Sequence, residues 1–245
     1  MKLFLAAIAV WLSAASIATA EPNLNPPYGD PAYRPYTVFS PDAPDPAQAL
    51  SDIIVVFHGF RSAVPNGTYK RVREAFKDTH TVIGINYENL DLDRTNTFLN
   101  KVEAHWLNGR RVTVLGTSMG GYWAHVFGHR VGAGAIVMLN PVIDPKQQLK
   151  KYAGKETQNR RRVHTFTVEG RAIQRYARLA PKNRDAIPTL VLLATDDARL
   201  DYRKALKMFD GQENTTVKIY PKGGHTLNLR QHPARAAILE FVSKR

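Results

Sequence analysis

The chain has 245 residues, a hydrophobic fraction of 44%, no cysteine and a formal net charge of +13. These values describe a globular protein long enough to bury a full core without staples, and of a length that suits one α/β domain. The lack of cysteine excludes a thioether-linked or palmitoylated anchor, and it fits an oxidising compartment, where free thiols are a liability.

In chain order, residues 1–20 read as a cleavable export signal. Lys2 supplies the positive end, Leu3 to Ile17 is nearly all apolar, and Ala18-Thr19-Ala20 gives the small-x-small pattern before Glu21. The rival reading is a retained anchor, because Leu3 to Ala20 is 18 residues long and only just able to span a bilayer. Ser13, Ser16 and Thr19 favour removal, so the expectation is export to the periplasm or beyond, with a mature chain starting near Glu21. Residues 21–50 form a proline-rich arm. The eight prolines between Pro22 and Pro46 preclude a regular ladder of hydrogen bonds, although Tyr36 to Phe39 fits a short edge strand.

From residue 51 to 245 strand and helix patterns alternate, with no internal repeat and no second domain boundary. Strands are expected at Ile53 to Phe57, Val82 to Ile85, Val112 to Leu115, Ala135 to Leu139, Thr189 to Ala194 and Val217 to Tyr220. Helices are expected at Thr68 to Lys77, Thr95 to Leu107, Met119 to about Val131, Tyr202 to Phe209 and Ala234 to Val242. Such alternation means a mostly parallel sheet flanked by helices, whose ligands bind beyond the carboxyl ends of the strands.

The most informative stretch is Val112 to Ala124, where a β-branched run meets Gly116-Thr117-Ser118-Met119-Gly120 and a helical run follows at once. Strand, tight turn and helix with a serine at the apex form a nucleophile elbow. Ser118 must then adopt a positive φ at a cost of roughly 1–3 kcal/mol. Gly116 and Gly120 remove the side chains that would collide where strand and helix nearly touch.

A nucleophilic serine needs a base, an orienting carboxylate and two N–H donors for the developing oxyanion. His225 follows the last strand in a glycine-rich loop and is the expected base. Asp197 is the favoured acid because it stands three residues past Ala194, with Asp196, Asp201 and Asp144 as the other candidates. The backbone N–H groups of Met119 and Phe60 are the expected oxyanion donors, and His58, Gly59 and Tyr122 the expected substrate-contacting residues. His125 and His129 have metal-ligand spacing but lack a third ligand, so no metal is expected.

Taken together, His58-Gly59-Phe60, Ser118 to Ala124, Leu139-Asn140-Pro141, Leu200-Asp201-Tyr202 and Gly224-His225 resemble the small bacterial esterases of the YqiA-like family within the α/β-hydrolase superfamily. The resemblance covers most of the chain from Ile53 onward. It implies a single-domain, cofactor-free serine hydrolase of short acyl esters, with Ser118, an aspartate of the Asp197 loop and His225 as its triad. Two departures stand out: an export signal, and Asp196-Asp197 where the family has Gly-Asp.

The long segment between the strands at Ala135 to Leu139 and Thr189 to Ala194, about residues 142–186, should form a cap. Between Asp144 and Asp185 it holds twelve basic and four acidic residues, a net of +8. Such a cap would concentrate an anionic substrate or hold the protein near an anionic surface, unless it is only a solvated face. Nucleic acid is not expected, since no binding module is present. Carboxylic-ester hydrolysis is the expected activity. The alternatives are a thioesterase, amidase or lactonase with the same site, and an idle hydrolase fold that binds an anionic polymer.

Overall fold

A computed structural model describes residues 36–39, 45–87, 90, 92–158, 165–176, 178–179, 186–230 and 232–245. The expected export signal, most of the proline-rich arm, and the run Arg160 to Arg162 of the basic cap lie outside these residues. Nine strands are defined among the described residues: β1 (Tyr36–Phe39), β2 (Asp52–Phe57), β3 (Thr81–Ile85), β4 (Arg111–Thr117), β5 (Ala135–Leu139), β6 (Glu156–Gln158), β7 (Thr165–Thr167), β8 (Thr189–Ala194) and β9 (Thr215–Tyr220). The helices are α1 (Gly67–Phe76), α2 (Leu92–Val102), α3 (Met119–Arg130), α4 (Pro145–Lys150), α5 (Gly170–Tyr176), α6 (Tyr202–Phe209) and α7 (Ala234–Ser243).

Seven strands form one sheet in the order β1-β3-β2-β4-β5-β8-β9. Six of them are parallel, and β1 closes one edge antiparallel to β3. Strands β2, β3, β4, β5 and β8 are buried almost throughout because helices cover both faces, whereas β9, at the edge, has no buried residue. In β2, Ile53, Val55 and Phe57 join the core beneath α2, α3 and α6, whereas Ile54 and Val56 join the core beneath α1 and α7. The period of two along a strand thus divides its side chains between two helical layers. Helix α1 buries Tyr69, Val72 and Phe76 along one stripe, and the Asn66 side chain caps it by accepting from Tyr69 N at 2.9 Å.

Two boundaries differ from the sequence pattern. Helix α2 starts at Leu92 and continues into a π-helical turn, Glu103–Leu107, which carries the adjacent Trp106 and Leu107 into the core. The segment after β5 holds α4, the antiparallel pair β6–β7 and α5, elements too short for periodicity to reveal. Ahead of β2, the Arg110 guanidinium donates to the carbonyls of Ala49 and Leu50 at 2.8 and 2.6 Å and to that of Pro46, which ties residues 46–50 down. No helix among the described residues is long and apolar enough to cross a membrane.

The tightest contact in the fold lies between β4 and α3. A Cβ added to Gly116 would stand 1.9 Å from the Gly120 carbonyl oxygen, and one added to Gly120 would stand 2.3 Å from that of Phe57. Both neighbours are backbone and cannot give way. Gly116→Ala should therefore destabilise by several kcal/mol, above the ~1–3 kcal/mol typical of side-chain overpacking. Gly67→Ala, whose added methyl meets nothing within 4 Å, should stay within about 1 kcal/mol of the parent. Urea denaturation of the two variants checks this, and equal midpoints would contradict it.

Candidate active site

Ser118 sits between β4 and α3 with φ 58° and ψ −121°, the strained geometry that the elbow demands. Its backbone is pinned on both sides. Ser118 N donates to Leu139 O at 3.0 Å, and Ser118 O accepts from Gly121 N and Val142 N, each at 2.9 Å. The residue is 9% exposed and lines a cavity of about 610 Å³ at the carboxyl end of the sheet. Gly59, Phe60 and His225 line the same cavity. A Cβ on Gly59 would fall 3.4 Å from Ser118 Cβ and 3.9 Å from its hydroxyl, so the loop after β2 runs beside the serine. Met119 opens α3, which leaves its N–H without an intrahelical acceptor.

The four candidate aspartates separate by what their carboxylates touch. Asp197 meets His225 Nδ1 at 2.8 and 3.0 Å through its two oxygens, and its side chain is only 1% exposed. It also accepts from Arg199 N at 2.8 Å and Leu200 N at 3.2 Å. Burial pushes the Asp197 carboxyl upward, but the imidazole and these backbone N–H groups outweigh it and hold the group below the ordinary carboxylate range. An ionised acceptor at Nδ1 selects the tautomer whose Nε2 is free to accept a proton. Asp196 instead accepts from Gly224 N at 2.8 Å and Gly223 N at 3.3 Å, bracing the loop that carries His225. Asp201 and Asp144 cap α6 and α4.

One positioning residue was visible in the sequence only as part of the Leu139-Asn140-Pro141 run, with no role attached. Asn140 is buried with φ 40°, and its side chain donates to Gly224 O at 2.9 Å and His225 O at 3.0 Å. Its Oδ1 accepts from Ala194 N at 2.8 Å. A single amide therefore joins the ends of β5 and β8 to the His225 loop.

Two expected substrate contacts stand elsewhere. His58 is 1% exposed and stacked on Tyr87 with centroids 4.5 Å apart, beneath the loop and off the cavity wall. Its carbonyl accepts from Tyr87 OH at 2.7 Å, so the strand end needs this packing. Tyr122 is also buried, and its hydroxyl donates to Tyr176 O at 2.6 Å, which fastens α3 to α5. Burial raises the Tyr122 phenol well above its usual range. His125 and His129 meet edge to face at 4.8 Å, and no group of three metal-ligating side chains converges among the described residues.

The model of an uncharacterised protein family, UPF0227, matches residues 53–240. No curated protein matches the chain. Among solved structures, Est1E from Butyrivibrio proteoclasticus is 13% identical, covers 85% of this chain and 93% of its own, and superposes with a TM-score of 0.63. A putative hydrolase from Agrobacterium vitis S4 is 14% identical over 85% of this chain and 91% of its own, with a TM-score of 0.61. A thermophilic esterase from Thermogutta terrifontis is 18% identical over 85% and 92%, with a TM-score of 0.55. At these identities the likeness is one of fold, the α/β-hydrolase fold.

Burial makes His58 a pH sensor for stability. Desolvation lowers its pKa from 6.5 to about 4, against a smaller opposing effect of the Gly59 carbonyl. The unfolded chain thus binds a proton near pH 6.5 that the folded chain refuses until about pH 4. Stability is complete above pH 6.5 and falls as pH drops towards 4, by about 3 kcal/mol at ~1.4 kcal/mol per unit. Denaturant midpoints measured between pH 7 and 4 should show this slope. His58→Phe, which keeps the stacking on Tyr87, should flatten it.

Proposed function

The chain belongs to the UPF0227 family and has an α/β-hydrolase fold, and on that premise we propose that it is an exported serine hydrolase of carboxylic esters. The observation that carries this reading is the buried Asp197–His225 pair at 2.8 Å, in a loop cluster whose cavity also holds Ser118 at its strained turn. A structural ion pair at the surface would not require a serine at positive φ on the lining of the same cavity. A bland surface loop would not bury the carboxylate.

The chemistry follows from the roles. His225 Nε2 takes the Ser118 proton as Oγ attacks the ester carbonyl, and Asp197 stabilises the imidazolium that forms. The Met119 and Phe60 N–H groups receive the oxyanion. Collapse expels the alcohol with the proton from His225 and leaves an acyl-Ser118. Water, deprotonated by the same histidine, then releases the acid and restores the serine. No step draws on a cofactor. Thioesters, amides and lactones have the same kind of electrophilic carbonyl and belong in the same screen.

Ser118→Ala should remove ~10⁴–10⁶ of kcat with folding intact, and fluorophosphonate labelling should vanish with it. Asp197→Asn should cost ~10⁴ in kcat, because the imidazole would be held in the wrong tautomer. Asp196→Asn should cost far less. A Ser118→Ala protein that retains more than about a tenth of the rate on every ester would refute the nucleophile assignment.

Export rests on the sequence of residues 1–20, with its basic start, apolar run and Ala18-Thr19-Ala20 end. Expression of the full chain in a bacterial host should yield a protein whose N-terminus, read by mass spectrometry, starts at Glu21. Recovery of the intact N-terminus in the membrane fraction would replace export by anchoring.

A further inference from the structure

The cavity that holds Ser118 has an unbalanced wall. Among the described residues three cations line it: Arg61 on the loop after β2, Lys151 just past α4, and Arg199 two residues beyond Asp197. No carboxylate is among the described lining residues. The acids close in sequence are turned to other work. Asp197 faces His225, Asp196 holds Gly223 and Gly224, and Asp201 and Asp144 cap helices. The cations come from three separate segments of the chain, so no local charge pattern of one helix accounts for their meeting. Arg61 is also fixed in place, with φ 63° and its Nε donating to Gln158 O at 2.8 Å, which leaves its terminal nitrogens for a ligand.

From this wall we infer that the substrate is an ester bearing an anionic group, a carboxylate or a phosphate, which Arg61, Lys151 and Arg199 hold while Ser118 acts on the ester bond. The inference rests on the hydrolase reading above and supplies its substrate class. Guanidinium groups give paired, charge-assisted donors to a carboxylate or phosphate, and a concave wall of one sign raises the local concentration of an anion. Neutral esters enter the same cavity without that gain.

The test compares matched esters with the mature protein at ~0.05 M and ~0.5 M salt, where the screening length falls from over 10 Å to under 5 Å. For the acyl side the pair is p-nitrophenyl hemisuccinate and p-nitrophenyl pentanoate. For the alcohol side, 4-acetoxybenzoate and 4-acetoxyphenyl phosphate are set against methyl 4-acetoxybenzoate. Each kcat/KM is divided by the uncatalysed rate at the same pH. In at least one arm the anionic ester should be favoured about tenfold at low salt, and the ratio should shrink at high salt. Which arm responds identifies carboxylate or phosphate, and acyl or alcohol side. The variant Arg61→Gln/Lys151→Gln/Arg199→Gln should lower that anionic-to-neutral ratio about tenfold, and Arg199→Gln alone should lower it in the same direction. A control that removes the same charge around Glu240, Lys218→Gln/Lys244→Gln/Arg245→Gln, should leave the ratio unchanged. Neutral esters cleaved as fast as anionic ones, or a ratio that both triple variants lower equally, would overturn this inference and leave the hydrolase reading standing. Loss of both ester cleavage and fluorophosphonate labelling at Ser118 would overturn the hydrolase reading, and this inference with it.

Discussion

Between β4 and α3 the backbones approach so closely that a methyl group at Gly116 would lie 1.9 Å from the Gly120 carbonyl oxygen, and much of the candidate site follows from that contact. The chain must leave a buried strand and enter a helix within one residue, and only a positive φ at Ser118 makes the turn. That conformation is unfavourable by itself, and it persists because its surroundings hold both ends. Leu139, Gly121 and Val142 bond the Ser118 backbone, while Gly120 fits under Phe57 and His58 at the end of β2. Strain in one residue is thereby carried by two neighbouring strands.

The histidine side of the site is assembled differently. His225 lies in a loop with Gly223 at φ 151° and Gly224 at φ 57°, a backbone with little order of its own. Order comes from outside the loop. Asp196 binds its N–H groups, Asn140 binds its carbonyls, and Asp197 holds the imidazole. Asn140 and Asp196 thus perform a task that resembles helix capping, in which side chains satisfy backbone groups left open by a sharp change of direction. The result is an imidazole oriented by a buried carboxylate, in a loop whose ends are held by Asn140 and Asp196.

The segment between β5 and β8 is joined to both halves. Tyr122 reaches α5 from the elbow helix, Arg61 reaches β6 from the loop after β2, and Tyr152 packs on Phe60 with ring centroids 5.0 Å apart. Lys151 stands above the Tyr152 ring at 5.4 Å. These contacts make the insertion part of the cavity wall. Among the described residues its one charge on that wall is Lys151, whereas the parts of a basic segment held apart in solvent are screened within about 10 Å at ~0.1 M salt.

Outside the segment between β5 and β8, the order of strands and helices, the parallel sheet and the elbow at Ser118 were legible in the sequence. Each depends on local rules: period-two burial in strands such as Ile53 to Phe57, helical stripes such as Tyr69-Val72-Phe76, and a turn that accepts only glycine at Gly116 and Gly120. The candidate base was legible as well, since His225 follows the last strand. Which aspartate meets it was only a preference, because Asp196 and Asp197 are neighbours whose side chains leave the chain in different directions. In the folded chain Asp197 turns to the imidazole and Asp196 towards the glycine N–H groups, partners that lie 27 and 28 residues away. Burial likewise placed His58 beneath its loop and Tyr122 between α3 and α5, where residue type had made them candidates for the cavity. Asn140 stood in the Leu139-Asn140-Pro141 run, but its role was not legible, since its partners are 54 to 85 residues away and meet it only when β5, β8 and the last loop pack together. The cavity's charge has the same origin: Arg61, Lys151 and Arg199 are distant in the chain, and only the fold brings them to one wall.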